Sequence, residues 1–115
     1  MLENKSRYCP DRSDIIWLNF NPQSGHEQKG KRPAIVLSPK AYNEKVGLAL
    51  ICPITSQKKN YPFEVELSSS LPIQGVILSD QVKSLDWQIR NAEFIYKVDD
   101  YIITQVLQKL NLLLK

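Results

Sequence analysis

The feature that most constrains the fold of this chain is a change of hydrophobic period close to residue 99. Before it, apolar residues come in short runs separated by Pro, Gly, Asn and Ser, a pattern typical of strands and turns. After Asp99 or Asp100, either of which is a good N-cap, a spacing of three and four predicts an amphipathic helix of about fifteen residues. The apolar positions of that helix are Ile102, Ile103, Val106, Leu107, Leu110, Leu113 and Leu114.

Six or so short strands precede this helix, which predicts a mainly β fold: a small curled sheet or barrel with a helical lid. The apolar face of the helix either closes the open end of the barrel or meets a second subunit. Residues 39–47 form a connector with room for one helical turn after Pro39. The predicted strands are 14–20, 32–38, 48–54, 63–67, 75–87 (one strand, or two joined near Asp80 and Gln81) and 91–98.

The length of 115 residues predicts a single domain spanning 1–115, with residues 1–8 as a flexible lead-in. No apolar run is long enough to cross a bilayer and the N-terminal residues have no signal-peptide core, so a cytoplasmic location is predicted. Cys52 lies in an apolar run and reads as a buried residue. Two isolated cysteines, Cys9 and Cys52, indicate neither a disulfide nor a metal site.

Positive charge is concentrated in one part of the chain. The net charge is +3, but residues 28–60 alone carry +6 and the remainder −3. A local excess of this kind favours a polyanionic partner, either a nucleic acid or an acidic peptide.

The two polar loops, 21–31 and 55–62, hold the residue types that RNA cleavage requires. Glu27 can take a proton from a ribose 2′-hydroxyl, and Arg32 presents a planar fork that fits two phosphate oxygens. Thr55, Ser56 and Gln57 can donate hydrogen bonds to the same phosphate. From the pattern alone, however, a solvated loop in which Glu27 pairs with a neighbouring cation is the commoner explanation.

His26 is the sole histidine, which excludes a ribonuclease that uses a pair of histidines. It could act as an acid or contact a base, although a lone histidine in a loop is more often simply exposed. The general acid therefore stays unassigned.

Four segments together resemble the MazF/PemK toxins, the mRNA interferases of type II toxin–antitoxin systems. The first, "SDIIWLNFNPQSGHEQKGKRPAIVLSP", has the D-I-I-W strand, the G-x-E-Q-x-G-x-R-P loop and the strand ending in Ser-Pro of that family. The others, "CPITSQ", "YPFEVEL" and "GVILSDQVKSLDW", follow in the family's order. The resemblance runs from about Tyr8 to Leu114. It outweighs the solvated-loop explanation.

The resemblance implies an SH3-like small β-barrel of the MazF/CcdB type that acts as a homodimer. It also implies sequence-specific cleavage of single-stranded mRNA without a metal or other cofactor, leaving a 2′,3′-cyclic phosphate and a 5′-hydroxyl. Arg32 and Thr55 match the catalytic pair, with Glu27 as a further candidate, whereas Asp80 and Gln81 match structural positions. The residues expected to bind RNA are Gln28, Lys29, Lys31, Ser56, Gln57, Lys58, Lys83 and Arg90.

The resemblance further implies a cognate antitoxin whose disordered acidic C-terminal segment covers the RNA groove. The chain departs from its relatives at Ser13, Asn19 and Asn21, where many have glycine or acids, which bears on substrate preference.

Two other functions remain open. A toxin of the same fold that poisons DNA gyrase would not need the Glu27, Arg32 and Thr55 set, and a basic RNA-binding module would hold RNA without cutting it.

Overall fold

The structure, a computed structural model, describes residues 8–21 and 30–114. These residues form seven strands and two helices. In chain order they are β1 (Asp14–Asn19), β2 (Lys31–Val36), α1 (Lys40–Val46), β3 (Leu48–Thr55), β4 (Glu64–Leu67), β5 (Gly75–Leu78), β6 (Lys83–Asp86), β7 (Glu93–Lys97) and α2 (Asp100–Asn111).

The strands form one antiparallel sheet in the order β4-β5-β3-β2-β1-β7, with β6 also paired to β3. Strand β3 serves two parts of this sheet: its first half, Leu48 to Ile51, pairs with β6, and Ile54 and Thr55 pair with β5. The sheet therefore curls around β3. This arrangement, followed by α2, confirms the mainly β fold with a C-terminal helix and is consistent with an SH3-like barrel.

Three details differ from the sequence prediction. Segment 75–87 contains two strands, β5 and β6, and the connector after Pro39 is a seven-residue helix, α1. Helix α2 has twelve residues, fewer than predicted, and its N-cap is Asp99, whose side chain accepts a hydrogen bond from Ile102 N. Since α2 ends at Asn111, Leu113 and Leu114 lie beyond it and are exposed.

The apolar side chains form two clusters, one on each face of the sheet. Helix α2 covers the first cluster, to which it contributes Ile103 and Val106. The second cluster contains Ile16, Ala34 and Ile51, and Trp87 packs on it. The helix thus packs on the core of its own barrel. Neither α1 nor α2 is long and apolar enough to span a membrane.

The first described residues are packed against the sheet. The hydroxyl of Tyr8 donates a hydrogen bond of 2.6 Å to buried Asp14, and its ring lies against Phe94. Lys97 on β7 pairs with the other oxygen of Asp14 at 2.8 Å. Burial, together with Asp14, raises the pKa of Tyr8, so its hydroxyl remains a donor. The rest of the expected lead-in, residues 1–7, lies outside the described residues.

Both cysteines are free and buried. Burial raises the pKa of Cys52 to about 12, with the charge of Asp80 adding to the effect, and burial also raises the pKa of Cys9. Because the thiolate is the reactive form, we expect neither thiol to react with an aromatic disulfide reagent at about pH 8 until guanidinium chloride unfolds the chain. Rapid reaction of one thiol in the folded protein would contradict the packing described for that cysteine.

Candidate active site

Neighbouring strands bring Arg32 and Thr55 to one edge of the sheet. On β2 and β3 the paired residues include Val36 with Ile51 and Ala34 with Pro53. Continuing this antiparallel register by two residues sets Arg32 opposite Thr55, on the same face. On the other side, Arg32 pairs with Leu18 of β1.

The guanidinium of Arg32 is available to a ligand. The residue is exposed, although the next apolar residues on its face of β2 are buried. Within residues 8–21 and 30–114 it forms no ion pair and donates no side-chain hydrogen bond. Its guanidinium is a planar cation that can bond two oxygens of one phosphate.

The hydroxyl of Thr55 is held in place by the turn that follows β3. Its Oγ1 accepts a hydrogen bond of 3.2 Å from Gln57 N. Its backbone is fixed by pairing with Val76 on β5. Since a hydroxyl that accepts one bond can still donate its own proton, Thr55 can bond to an anion.

A groove of about 250 Å³ begins at Thr55. The side chain of Glu64 shapes one wall, because its two oxygens accept hydrogen bonds from Lys59 N and Asn60 N, at 3.0 and 3.1 Å. The residues that line the groove are Thr55, Gln57, Lys59, Tyr61, Glu64, Leu78 and Gln81.

Lys59, Tyr61, Glu64 and Leu78 were not among the site residues predicted from the sequence. The hydroxyl of Tyr61 donates to Asp80, and that hydrogen bond raises the pKa of Tyr61. The alternation of apolar and acidic residues in β4 was the available signal for Glu64, since it marks the side chain as facing away from the core.

The second loop sends its side chains in two directions. Gln57 and Lys59 line the groove at Thr55, whereas Ser56 and Lys58 line a separate groove of about 840 Å³ near the start of α2. Lys58 also pairs with Glu66 at 2.9 Å. The structure therefore does not bring Ser56 and Lys58 to the Thr55 groove.

The basic stretch 28–60 is divided in the same way. Lys40 and Lys45 lie on α1, which follows the end of β2 opposite to Arg32. Lys31 is adjacent to Arg32 but points to the other face of β2, where its ammonium pairs with Glu93 at 3.1 Å. Only part of the local charge excess thus stands beside Arg32.

Lys83 and Arg90 occupy different surroundings. Lys83 is exposed on β6, opposite Ile51 and on the face that carries Thr55. Ile51 and Thr55 are four positions apart on β3, a distance of about 13 Å along the strand. Arg90 is half-buried, and its Nη1 donates to the carbonyl oxygens of Asn19 and Phe20, at 3.4 and 3.1 Å.

Four residues of the first loop that bear on the chemistry lie outside the described residues. They are His26, Glu27, Gln28 and Lys29. Their predicted roles stay predictions.

The arrangement offers a fixed positive charge and a neutral hydroxyl donor side by side. Such a pair can bind the two non-bridging oxygens of one phosphodiester and follow their charge as it grows. The neighbouring groove, with Lys59 at its side, has room for the nucleotide next to that phosphate.

Known proteins of one family are similar to this chain in sequence. The family model described as "PemK-like, MazF-like toxin of type II toxin-antitoxin system" matches residues 11–114. The endoribonuclease toxin MazF of Escherichia coli K12 is 55% identical over 87 residues, covering 76% of this chain and 78% of that protein.

Solved structures match over nearly the whole chain. MazF of Deinococcus radiodurans (form I) superposes with a TM-score of 0.84 at 50% identity, covering 93% of this chain and 97% of that one. A MazE–MazF structure from the same organism (form II) gives a TM-score of 0.84 at 45% identity, covering 93% and 96%. The resemblance noted in the sequence is thereby confirmed, and the chain belongs to the family of PemK-like, MazF-like toxins of type II toxin–antitoxin systems.

Proposed function

We propose that this chain is an endoribonuclease toxin that cleaves single-stranded mRNA and so inhibits translation. The observation that supports the proposal is the register of β2 and β3, which, continued two residues beyond Ala34 and Pro53, sets the exposed Arg32 opposite Thr55. A non-enzymatic toxin that poisons DNA gyrase would have no use for this pair.

The cleavage needs no nucleophile from the protein. The 2′-oxygen of a ribose attacks the adjacent phosphorus as its proton leaves, and the bond from phosphorus to the 5′-oxygen of the next nucleotide breaks. That 5′-oxygen takes up a proton. The products are a 2′,3′-cyclic phosphate and a 5′-hydroxyl, and no metal enters the step.

The proposed catalytic roles follow from the charges involved. Arg32 and Thr55 stabilise the negative charge that gathers on the non-bridging oxygens in the transition state. Glu27 is the proposed general base for the 2′-hydroxyl. The 5′-oxygen needs a general acid, for which His26 is a candidate.

The antitoxin proposal rests on charge and on relatives of known structure. A structure of MazE–MazF matches this chain. We propose that an acidic, disordered segment of a cognate antitoxin lies along the edge that holds Arg32 and Lys59, where it excludes RNA. Carboxylates would occupy the positions of the phosphates.

The assembly proposed here is a homodimer. Large apolar side chains remain exposed on the described surface, including Ile89, Phe94 and Leu112. A second copy would remove such side chains from water.

Because the substrate is mRNA, the proposed location is the cytoplasm.

The function is tested on RNA in the presence of EDTA. We expect the purified protein to cut single-stranded transcripts, and fragment sequencing to show a preferred cut site with cyclic phosphate and 5′-hydroxyl ends. A 2′-deoxy substitution at the nucleotide that supplies the attacking oxygen should abolish the cut. The same substitution one nucleotide beyond the cut serves as the matched control and should leave cleavage in place.

Two results would overturn the proposal. Continued cutting of the deoxy substrate at the same bond would exclude attack by the 2′-oxygen. Intact RNA, retained on a filter by the protein, would favour the basic binding module instead.

A further inference from the structure

Residues 22–29 belong to the loop predicted from the sequence and lie outside the described residues, but the described residues that flank them, up to Asn21 and from Gly30, are tied together. Phe20 N donates to Gly30 O at 2.8 Å, and Asn19 Oδ1 accepts from Asn21 N at 3.0 Å. A Cβ atom on Gly30 would stand 3.2 Å from Asn21 N, so the two ends approach closely. We call these four residues, Asn19, Phe20, Asn21 and Gly30, the loop base.

Arg90 holds this loop base from outside. Its Nη1 donates to the carbonyl oxygens of Asn19 and Phe20, and its own carbonyl oxygen accepts from Asn19 N at 2.9 Å. A charged donor to a carbonyl is stronger than a neutral one. Three hydrogen bonds therefore join Arg90 to the last residues before the loop.

The segment that carries Arg90 is itself firmly anchored. Asp86 Oδ1 accepts from the backbone N–H groups of Gln88 and Ile89, each at 3.0 Å. The ring of Trp87 is buried, and its Nε1 donates to Asn43 O at 3.0 Å. Arg90 thus extends from a rigid support.

The loop base lies directly before the catalytic candidate. Asn19 pairs with Lys31, Leu18 pairs with Arg32, and Gly30 is only two residues from Arg32. A shift of the Asn19 and Phe20 carbonyls would therefore move the start of β2 and the guanidinium on it.

We propose that Arg90 is a positioning residue: through the Asn19 and Phe20 carbonyls it fixes the loop base and hence the place of Arg32 against the scissile phosphate. This inference rests on the proposed function and assigns to Arg90 a task other than the RNA contact expected from the sequence. Misplacement of a catalytic group by about 1 Å can cost around a hundredfold in rate.

The two roles of Arg90 predict different kinetics. Measurements use the mapped cut-site oligonucleotide for cleavage, and the same oligonucleotide with 2′-O-methyl groups throughout for binding. For Arg90→Ala, a positioning role predicts that kcat falls by roughly 10- to 100-fold. It also predicts that the slope of log affinity against log salt concentration stays unchanged and that the backbone amide of Phe20 exchanges faster. Removal of a phosphate contact would instead lower that slope by about 0.7.

Lys59→Gln is the comparison variant, since Lys59 lines the Thr55 groove and makes no side-chain contact that holds the loop base. We expect it to show the lower slope, and it is therefore the reference for the loss of a phosphate contact. Arg90→Lys separates the roles even if Arg90→Ala fails to fold. An ammonium preserves a phosphate contact as a point charge, but the lysine side chain ends one bond short of the position of Nη1, the atom that donates to both carbonyl oxygens.

A low kcat with a wild-type salt slope in Arg90→Lys would support positioning. Wild-type kcat in either folded Arg90 variant, or a lowered slope with normal kcat, would overturn it. Absence of cleavage by the unaltered protein would be a failure of the proposed function, and would be visible before any variant is made.

Discussion

Replacing Arg32 with alanine should lower kcat for RNA cleavage by about 10²- to 10³-fold, the cost found when one preorganised donor to a developing oxyanion is lost. Arg32 is exposed, and its side chain forms no hydrogen bond or ion pair within the described residues. The free energy of unfolding should therefore change by no more than about 0.5 kcal/mol. Single-turnover cleavage of the mapped oligonucleotide and a denaturant melt measure the two quantities.

Lys45→Ala is the matched control, because it removes the same charge from an exposed site on α1, beyond the opposite end of β2. We expect its kcat to stay near that of the unaltered protein. Arg32→Lys should fall between the two, since an ammonium keeps the charge but cannot bond two oxygens in one plane. An Arg32→Ala protein that cleaves at the normal rate would remove Arg32 from the chemistry.

That Arg32 and Thr55 fall on neighbouring strands could be predicted, because it depends on local connectivity. Strands β2 and β3 are consecutive and apolar, and consecutive strands usually lie next to each other in a sheet. The family resemblance then identified the two residues that matter. The same reasoning placed Cys52 in the core, where the structure has it fully buried.

The directions of the loop side chains could not be read in advance. Ser56 and Lys58 look as suitable for RNA as Gln57 and Lys59, and only the contacts with Glu66 and Glu64 separate the two pairs. The net charge of the sequence stretch 28–60 is therefore larger than the positive charge that reaches the Thr55 groove.

Arg90 shows a related limit. From the sequence, an arginine in a basic protein is interpreted as a phosphate ligand. In the structure the guanidinium of Arg90 donates to backbone carbonyl oxygens, and no sequence pattern indicates such a contact. Partners of this kind depend on the tertiary structure. A sequence motif therefore predicts the residues that contact the substrate better than it predicts the residues that hold them in place.

Gly75→Ala should have the largest effect on stability. Gly75 begins β5 at φ +119°, a backbone conformation that residues with a side chain rarely adopt, and a Cβ there would overlap the carbonyl oxygen of Thr55 and lie 2.9 Å from its carbonyl carbon. Relief requires β5 to move away from Thr55, whose partner in the sheet is Val76. We expect a loss of about 3 kcal/mol or more in the free energy of unfolding.

Gly47→Ala separates backbone strain from this close approach. Gly47 also has a positive φ, +82°, but a Cβ there would meet no atom within 4 Å. Its cost should be that of the left-handed conformation alone, about 1–2 kcal/mol, and the folded variant should cleave RNA normally because Gly47 follows α1. Gly75→Ala should lose cleavage even in the fraction that folds, since the displaced β5 no longer fixes the backbone of Thr55 through its pairing with Val76. Equal destabilisation by the two alanines in denaturant melts would show that contact between β5 and the Thr55 backbone does not hold this edge of the sheet.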